Sequence, residues 1–201
     1  MIEVHAIEDL RSPAEIQAFL EETVYSDEPI YRCPVRVLRD RRAHCVDGAL
    51  LAAAALRRLG HRPLILDLRA VRDDDHVIAV FKQDGHYGAI AKSNVVPLRF
   101  REPVYRTPRE LAMSYFDGYY NLDGERSLRS YSAPFDLRRF DALDWEHTDE
   151  VIEAPILTAL DAARHFELLS PAMIARLHLI DRRSYDAGLL GSNPAGLFKP
   201  T

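Results

Sequence analysis

The apolar residues of this chain are concentrated in one almost uninterrupted run, residues 46–59. Only three charged residues interrupt the run, so the pattern predicts a helix that is buried on nearly all sides. Ala and Leu are strong helix formers, and Gly60 followed by Pro63 predicts where the helix ends. We therefore expect a central helix whose first turn begins at or just after Cys45.

After this helix the pattern changes to short segments that favour β-structure. Residues 64–68 predict one strand, His76 opens a second strand that runs to residue 81, and residues 86–91 predict a third. The dipeptide at residues 84–85, Asp-Gly, is a strong hairpin signal. The second and third strands are therefore expected to be adjacent and antiparallel.

Three further helix starts are marked by serine or threonine followed by proline. The hydroxyl caps the helix, and proline is tolerated at its first position. Residues 12–13 predict a helix to about residue 25, residues 107–108 predict one toward residue 121, and residues 170–171 predict one whose apolar stripe faces the core. Residues 151–164 are also helical in pattern, whereas the glycine- and proline-rich tail from residue 188 is expected to be loosely held.

The composition is that of an ordinary globular protein, with 201 residues, 47% hydrophobic and 28% charged. The formal net charge of −5 gives no reason to expect nucleic acid, and no apolar run is long enough for a membrane span. Cys33 and Cys45 are too few for a disulfide framework, so we expect reduced thiols. The acidic amino terminus does not resemble a secretory signal, which favours a cytoplasmic protein.

The order of the predicted elements is a helix, three strands and then mainly helices, so we expect an α+β fold. In this interpretation residues 1–135 form the α+β core, and residues 136–201 form a mainly helical C-terminal extension packed on it. A single domain that includes both parts is the alternative. The sequence does not indicate an oligomeric state.

Cys45 is the first candidate for chemistry because it lies where the predicted central helix begins. Unpaired backbone N–H groups and the helix dipole favour an anion at that position, and both lower the pKa of a thiol. The alternative is a small buried core cysteine, which is the role of most free cysteines.

His76 is the candidate base, because it opens the second predicted strand and an imidazole can take the proton of a thiol. The hairpin places the end of the third strand, residues 92–94, beside the start of the second. Asn94, or failing it Ser93, would then orient the imidazole ring. A histidine that only satisfies its own hydrogen bonds at a strand end is the alternative interpretation.

A metal site is disfavoured. The run Asp73-Asp74-Asp75 lies near His76 and His86 in the sequence, but three consecutive residues of an extended chain cannot all point one way. We therefore expect neither a metal nor a cofactor.

Taken together, these motifs resemble the transglutaminase-like superfamily, whose fold is shared with papain-like cysteine peptidases. The resemblance lies in Cys-Val-Asp-Gly-Ala at residues 45–49, in the helix end Leu-Arg-Arg-Leu-Gly-His-Arg-Pro at residues 56–63, and in the Asp-His strand with its hairpin at residues 75–85. It extends over residues 39–94. It implies a core in which a buried helix packs on a small antiparallel sheet, followed by a helical C-terminal part.

The resemblance also implies roles for the candidate residues. Cys45 would be the nucleophile and His76 the base, acting by hydrolysis or acyl transfer on a peptide or a small amide or acyl substrate. The family has an aspartate at the third position, where this chain has residues 92–94, and Asn94 is the preferred replacement because an amide oxygen can accept a hydrogen bond from the imidazole. The missing aspartate favours a second interpretation, a catalytically inactive scaffold or binding protein.

Overall fold

The computed structural model describes residues 7–198 of the chain. The prediction that the amino terminus is no secretory signal rests partly on residues 1–6, and it therefore lies outside the described residues. In the part that is described, none of the helices combines the length and the apolar surface that a membrane crossing requires.

Helices and strands alternate irregularly along the chain. The α-helices are α1 Pro13–Glu22, α2 Pro34–Asp40, α3 Cys45–Arg58, α4 Pro108–Met113, α5 Thr158–Asp161, α6 Pro171–Ile174 and α7 Arg182–Gly188. The strands are β1 Val24–Tyr25, β2 Arg42–Ala43, β3 Leu64–Ala70, β4 His76–Gln83, β5 His86–Ile90, β6 Arg101–Tyr105, β7 Leu128–Ser132, β8 Phe135–Asp136 and β9 His165–Glu167.

One seven-stranded antiparallel sheet organises the described part of the chain. Its order is β6-β5-β4-β3-β7-β9, and β8 pairs with β3 on the same edge as β7. The short strands β1 and β2 form a separate parallel pair. The predicted α+β class is thus confirmed, and the hairpin between β4 and β5 turns at Asp84 and Gly85, both with positive φ.

The helix α3 is buried as the apolar run predicted. Residues from Ala49 to Leu56 are at most 1% exposed, because the helix packs on one face of the sheet and is covered by α1, α2 and part of the segment 137–160. Its small residues permit close approach: a Cβ on Gly48 would overlap the Cβ of Lys92, just beyond β5. The position of α3 is therefore fixed by shape as well as by hydrophobicity.

The opposite face of the sheet carries a second apolar core. Leu66 and Ile78 face this side, where α4 and the aromatic residues Tyr115 and Tyr119 cover them. Strands β3 and β4 are consequently apolar on both faces, which explains their nearly continuous hydrophobic sequence.

Several helices are shorter than the sequence pattern predicts. The segment 151–164 is kinked, because Ala154 takes an extended conformation (φ −136°, ψ 123°) before Pro155, and only α5 is regular α-helix. The helix at 108 ends at Met113. The stripe expected after Ser170 is confirmed in part: Ile174 and Leu177 pack against the second core, whereas α6 lasts a single turn and Met173 is 51% exposed.

The C-terminal part contributes to the same sheet and the same core as the preceding residues. Strand β9 pairs with β7 in the same sheet, and Trp145, Ile152 and Ile156 belong to the core around α3. A domain boundary near residue 135 stays a prediction.

Gly48→Ala tests the close packing of α3, because two effects oppose each other there. Helix propensity alone predicts a gain of up to about 1 kcal/mol in the free energy of unfolding. Overpacking against Lys92 predicts a loss of about 1–3 kcal/mol. We expect the loss, measured by urea denaturation followed by circular dichroism; an unchanged or increased free energy of unfolding would contradict the packing.

Candidate active site

A cleft of about 880 Å³ opens at the end of the sheet, where β4 begins and α3 starts. Eight carboxylate residues line it, whereas no Lys or Arg among the described residues does. The carboxylates belong to Asp27, Glu28, Asp67, Asp73, Asp74, Asp75, Glu153 and Asp161. Arg32, Arg42 and Arg69 outside the lining pair with Asp27, Glu28, Asp67 and Asp161. The negative charge that faces the cleft therefore comes from the remaining four carboxylates, and it favours neutral or cationic molecules over anions.

Cys45 is the first residue of α3, as predicted, and lies in this cleft. His44 caps the helix: its Nδ1 accepts a hydrogen bond from Val46 N (3.2 Å), and Asp47 accepts one from His44 N (3.2 Å). This reciprocal capping box fixes the first turn. It leaves the Cys45 Sγ 4.0 Å from the carbonyl oxygen of Asp75.

The thiol of Cys45 is protonated at neutral pH. Cys45 is half-buried in the wall of the cleft, and desolvation by the surrounding protein raises the pKa of the thiol to about 12. A hydrogen bond from Val77 N–H opposes the increase, and the charges of Asp74 and Asp47 add to it. The position at the helix start predicts a lower pKa for the thiol; this prediction is wrong, because desolvation outweighs the effect of the helix terminus.

The histidine His44 has a structural role that the sequence did not indicate. Its Nε2 lies 3.0 Å from the carbonyl oxygen of Ile30, so Nε2 carries the proton while Nδ1 accepts from the helix. The ring also contacts Tyr31 edge-on, with 5.3 Å between ring centroids. Since both ring nitrogens are engaged, His44 positions the start of α3 and is not available as a base for Cys45.

His76 is 4% exposed and is held by one backbone contact. Its Nε2 lies 2.9 Å from the carbonyl oxygen of Leu98, so Nε2 donates and carries the proton of the neutral ring. Burial lowers the pKa of His76 to about 4, which keeps the ring neutral at physiological pH. Within residues 7–198 nothing hydrogen-bonds to Nδ1, which is therefore the nitrogen that can accept a proton.

Cys45 and His76 reach the cleft from different sides of the sheet. Along β4, Val77 and Ala79 face α3, and His76 alternates with them onto the other face. Both side chains line the cleft, because it lies at the sheet end, yet no hydrogen bond joins the sulfur to the ring in the described part of the chain. The structure thus contains a neutral thiol and a neutral imidazole.

Asn94, the predicted orienting residue, lines the cleft but forms no hydrogen bond with His76 among the described residues. Its Oδ1 accepts from Asn193 N (2.7 Å) and its Nδ2 donates to Asn193 O (2.8 Å), so both ends of the amide bind the C-terminal segment. The prediction that Asn94 orients His76 is therefore corrected: the carbonyl of Leu98 occupies that position. Ser93, the second choice, accepts from Val95 N (3.1 Å) and does not bond to the ring either.

Lys92 is the remaining residue of the segment 92–94, and it also has a structural role. Its ammonium donates to the carbonyl oxygens of Leu20 (2.8 Å) and Thr23, at the end of α1. Burial lowers the pKa of Lys92 to about 8. Together with the contact at Gly48, this bond ties the end of β5 to α1 and α3.

A second ionisable pair near the cleft was missed by sequence analysis. Asp67, in the middle of β3, is 3% exposed and lies 3.0 Å from Nε2 of His165 in β9. Burial raises the pKa of Asp67, and the bond to His165 opposes the increase. A charged residue inside an apolar strand was the available signal, but its partner lies in a three-residue strand that no pattern revealed.

The acidic run Asp73, Asp74 and Asp75 lies in the connection from β3 to β4. Burial raises the pKa of Asp73 to about 6, and it also raises the pKa of the other two carboxyls. Asp73 accepts from Ser127 Oγ, and Asp75 accepts from Ala70 N (2.8 Å). Among the described residues, no three His, Cys, Asp or Glu side chains group in a way that could hold a metal ion.

No family model and no curated protein matches this sequence. Among solved structures, one chain that aligns with part of this one is Legionella pneumophila LapG (EGTA-treated), at 15% sequence identity and a TM-score of 0.35. The aligned region covers 44% of this chain and 57% of the LapG chain, so it spans little more than half of that protein. A likeness this distant is too weak to support an inference about function.

Iodoacetamide should alkylate Cys45 slowly near neutral pH. Only the thiolate reacts, and a thiol whose pKa is raised to about 12 is almost entirely protonated there. We expect a rate at about pH 8 that is at least roughly a hundredfold below that of free cysteine, increasing with pH without a plateau below about pH 9. The measurement is mass spectrometry of the Cys45 peptide across pH.

Asp74→Asn is the matched variant for this measurement. The charge of Asp74 is one cause of the raised pKa of Cys45, so its removal should increase the alkylation rate at each pH below the midpoint. A rate for the wild type that already reaches a plateau below about pH 8 would reveal a preformed thiolate and contradict this electrostatic description.

Proposed function

We propose that this chain is a cysteine-dependent amide hydrolase or acyl transferase of transglutaminase-like type, with Cys45 as nucleophile and His76 as base. One observation carries the proposal: a helix-start cysteine and a buried histidine with a free, unprotonated Nδ1 line the same cleft. The motifs around residues 45–49, 56–63 and 75–85 support the same family.

The neutral state of both groups determines how the reaction would begin. His76 accepts the thiol proton at Nδ1 while the sulfur attacks the carbonyl carbon, because no ion pair exists beforehand. The tetrahedral intermediate then collapses, the C–N bond breaks, and the proton on His76 passes to the leaving amine. Water or a second amine attacks the resulting thioester and restores the free thiol.

Two backbone groups are suited to support this chemistry. The carbonyl of Leu98 holds Nε2–H and so leaves Nδ1 as the proton acceptor. The N–H of Cys45 has no hydrogen-bond partner in residues 7–198, whereas that of Val46 is bound to His44. The Cys45 N–H is therefore the available donor for an oxyanion at the start of α3.

The charge of the cleft restricts the substrate. A peptide or a small amide or acyl compound that is neutral or cationic near the reacting carbonyl fits the carboxylate-lined walls. The same walls disfavour polyanions such as nucleic acids. The chemistry proposed here needs no cofactor.

A second candidate is a non-catalytic binding protein with the same fold. Two observations favour it: the pKa of the Cys45 thiol is raised by burial, and no hydrogen bond joins Cys45 to His76 among the described residues. In that case the cleft would bind a ligand without forming a bond to sulfur.

Acylation by p-nitrophenyl acetate separates these two functions, because the ester is neutral and small. We expect a burst of p-nitrophenol close to one equivalent per chain and an acetyl group on Cys45, identified by mass spectrometry. Cys45→Ser should abolish the burst. His76→Gln should slow it by about 10²–10⁴-fold, the usual contribution of a general base.

His86→Ala is the control, because His86 lies on the β4–β5 hairpin and does not line the cleft. Its burst should equal that of the wild type. Acetylation of residues other than Cys45, or a burst in His76→Gln that is as fast as in the wild type, would favour the binding protein instead.

A further inference from the structure

We propose that Asn94 is a positioning residue that holds the C-terminal strap, residues 193–198, over the Cys45 cleft and thereby limits the size of molecules that reach the thiol. The claim that the strap selects substrates rests on the proposed function. The claim that the strap limits access to Cys45 does not, so each claim can fail without the other.

The clamp itself is a reciprocal amide contact. Asn94 accepts from Asn193 N at 2.7 Å and donates to Asn193 O at 2.8 Å, so it binds the backbone of the strap at two points. Within residues 7–198, no other hydrogen bond joins residues 193–198 to the rest of the chain. The polar attachment of the strap therefore depends on one side chain.

The strap then turns into the cleft. Oδ1 of Asn193 accepts from Ala195 N (3.1 Å), and Gly196 N bonds back to Asn193 O (3.1 Å). Gly196 lies against Tyr25: a Cβ at this position would be 2.7 Å from Cε1 of that ring. Ala195 to Phe198 form part of the cleft wall, and the residues from Gly196 to Phe198 are half-buried.

The chain leading to the strap is anchored separately. Tyr120 donates to the carbonyl of Tyr185 in α7 (3.0 Å), and Tyr185 donates to the carbonyl of Leu122 (3.0 Å). Between α7 and Asn193, the only backbone hydrogen bonds formed by residues 189–192 in the described chain are local or lead back to α7. Loss of the clamp would therefore release the strap without detaching α7.

The position of Asn94 connects the clamp to the cleft. Asn94 lies in the segment that follows β5 and lines the cleft, and its partner is 99 residues away in the sequence. Releasing two hydrogen bonds of ordinary strength would increase the open population by about tenfold or more. The rate at which a small molecule modifies Cys45 would change little, because it already passes the strap. The rate for a bulky molecule would increase by the full factor.

The test compares two maleimides that share a reactive group and differ in size, N-methylmaleimide and N-(1-pyrenyl)maleimide. The rate of modification of Cys45 is followed by peptide mass spectrometry in the full-length chain. In Asn94→Leu, which keeps the branched shape of the side chain and loses both hydrogen bonds, we expect the bulky-to-small rate ratio to increase by about tenfold.

Two matched variants complete the test. Asn193→Ala keeps the backbone groups that Asn94 binds and should retain nearly the wild-type ratio. Gly196→Ala leaves Asn94 in place but adds a Cβ that would lie 2.7 Å from Cε1 of Tyr25 and 3.3 Å from Nδ2 of Asn94, so it displaces the strap and loosens the clamp. It should increase the ratio, and it replaces Asn94→Leu in the test if that variant does not fold.

An unchanged ratio in both Asn94→Leu and Gly196→Ala would overturn the proposal. So would an equal increase in both rates, which indicates general loosening of the fold, or an increase in Asn193→Ala as large as in Asn94→Leu. An increased ratio in a protein that p-nitrophenyl acetate does not acylate would support the strap and refute the proposed function.

Discussion

Burial of the helix α3 on nearly every side is the constraint on which the rest of the structure depends. Alanines and Gly48 let the helix approach the sheet closely, and Lys92 occupies the space that a larger residue at position 48 would need. Because the helix cannot slide or rotate without creating voids or overlaps, its first residue has one fixed position. Cys45 is consequently held beside the start of β4. The cleft forms there because the sheet ends while the helix start and the connecting loops continue past it.

The same burial determines the chemical state of the site. A helix terminus stabilises an anion by about 0.3–1 kcal/mol, which is less than one pKa unit. Desolvation of the Cys45 sulfur acts in the opposite direction and is larger, so the pKa of the thiol increases to about 12. Burial also lowers the pKa of His76, to about 4. Both groups are therefore neutral at rest, and the carboxylates of the cleft oppose a resting thiolate; in the proposed reaction, proton transfer accompanies attack.

The sequence predicted those features that depend on neighbouring residues. The start of α3 at Cys45, the strands β3 to β5 and the hairpin between them all follow from local patterns. The face taken by His76 could not be predicted, because β4 is apolar on both faces and its alternation has no polar side to mark. The partner of Asn94 could not be predicted either, because it lies near the other end of the chain and binds through its backbone. A local sequence pattern predicts secondary structure, whereas these contacts depend on which distant segment packs beside the residue.

The protonation state of His76 is the most direct test of this account. Nitrogen chemical shifts from ¹⁵N-labelled histidine, followed across pH with His76→Gln for assignment, distinguish the two neutral tautomers and the imidazolium. The account predicts a neutral His76 ring with the proton on Nε2 down to about pH 5, since burial lowers its pKa to about 4. An imidazolium at neutral pH that disappears in Cys45→Ser would reveal a thiolate–imidazolium pair and contradict it.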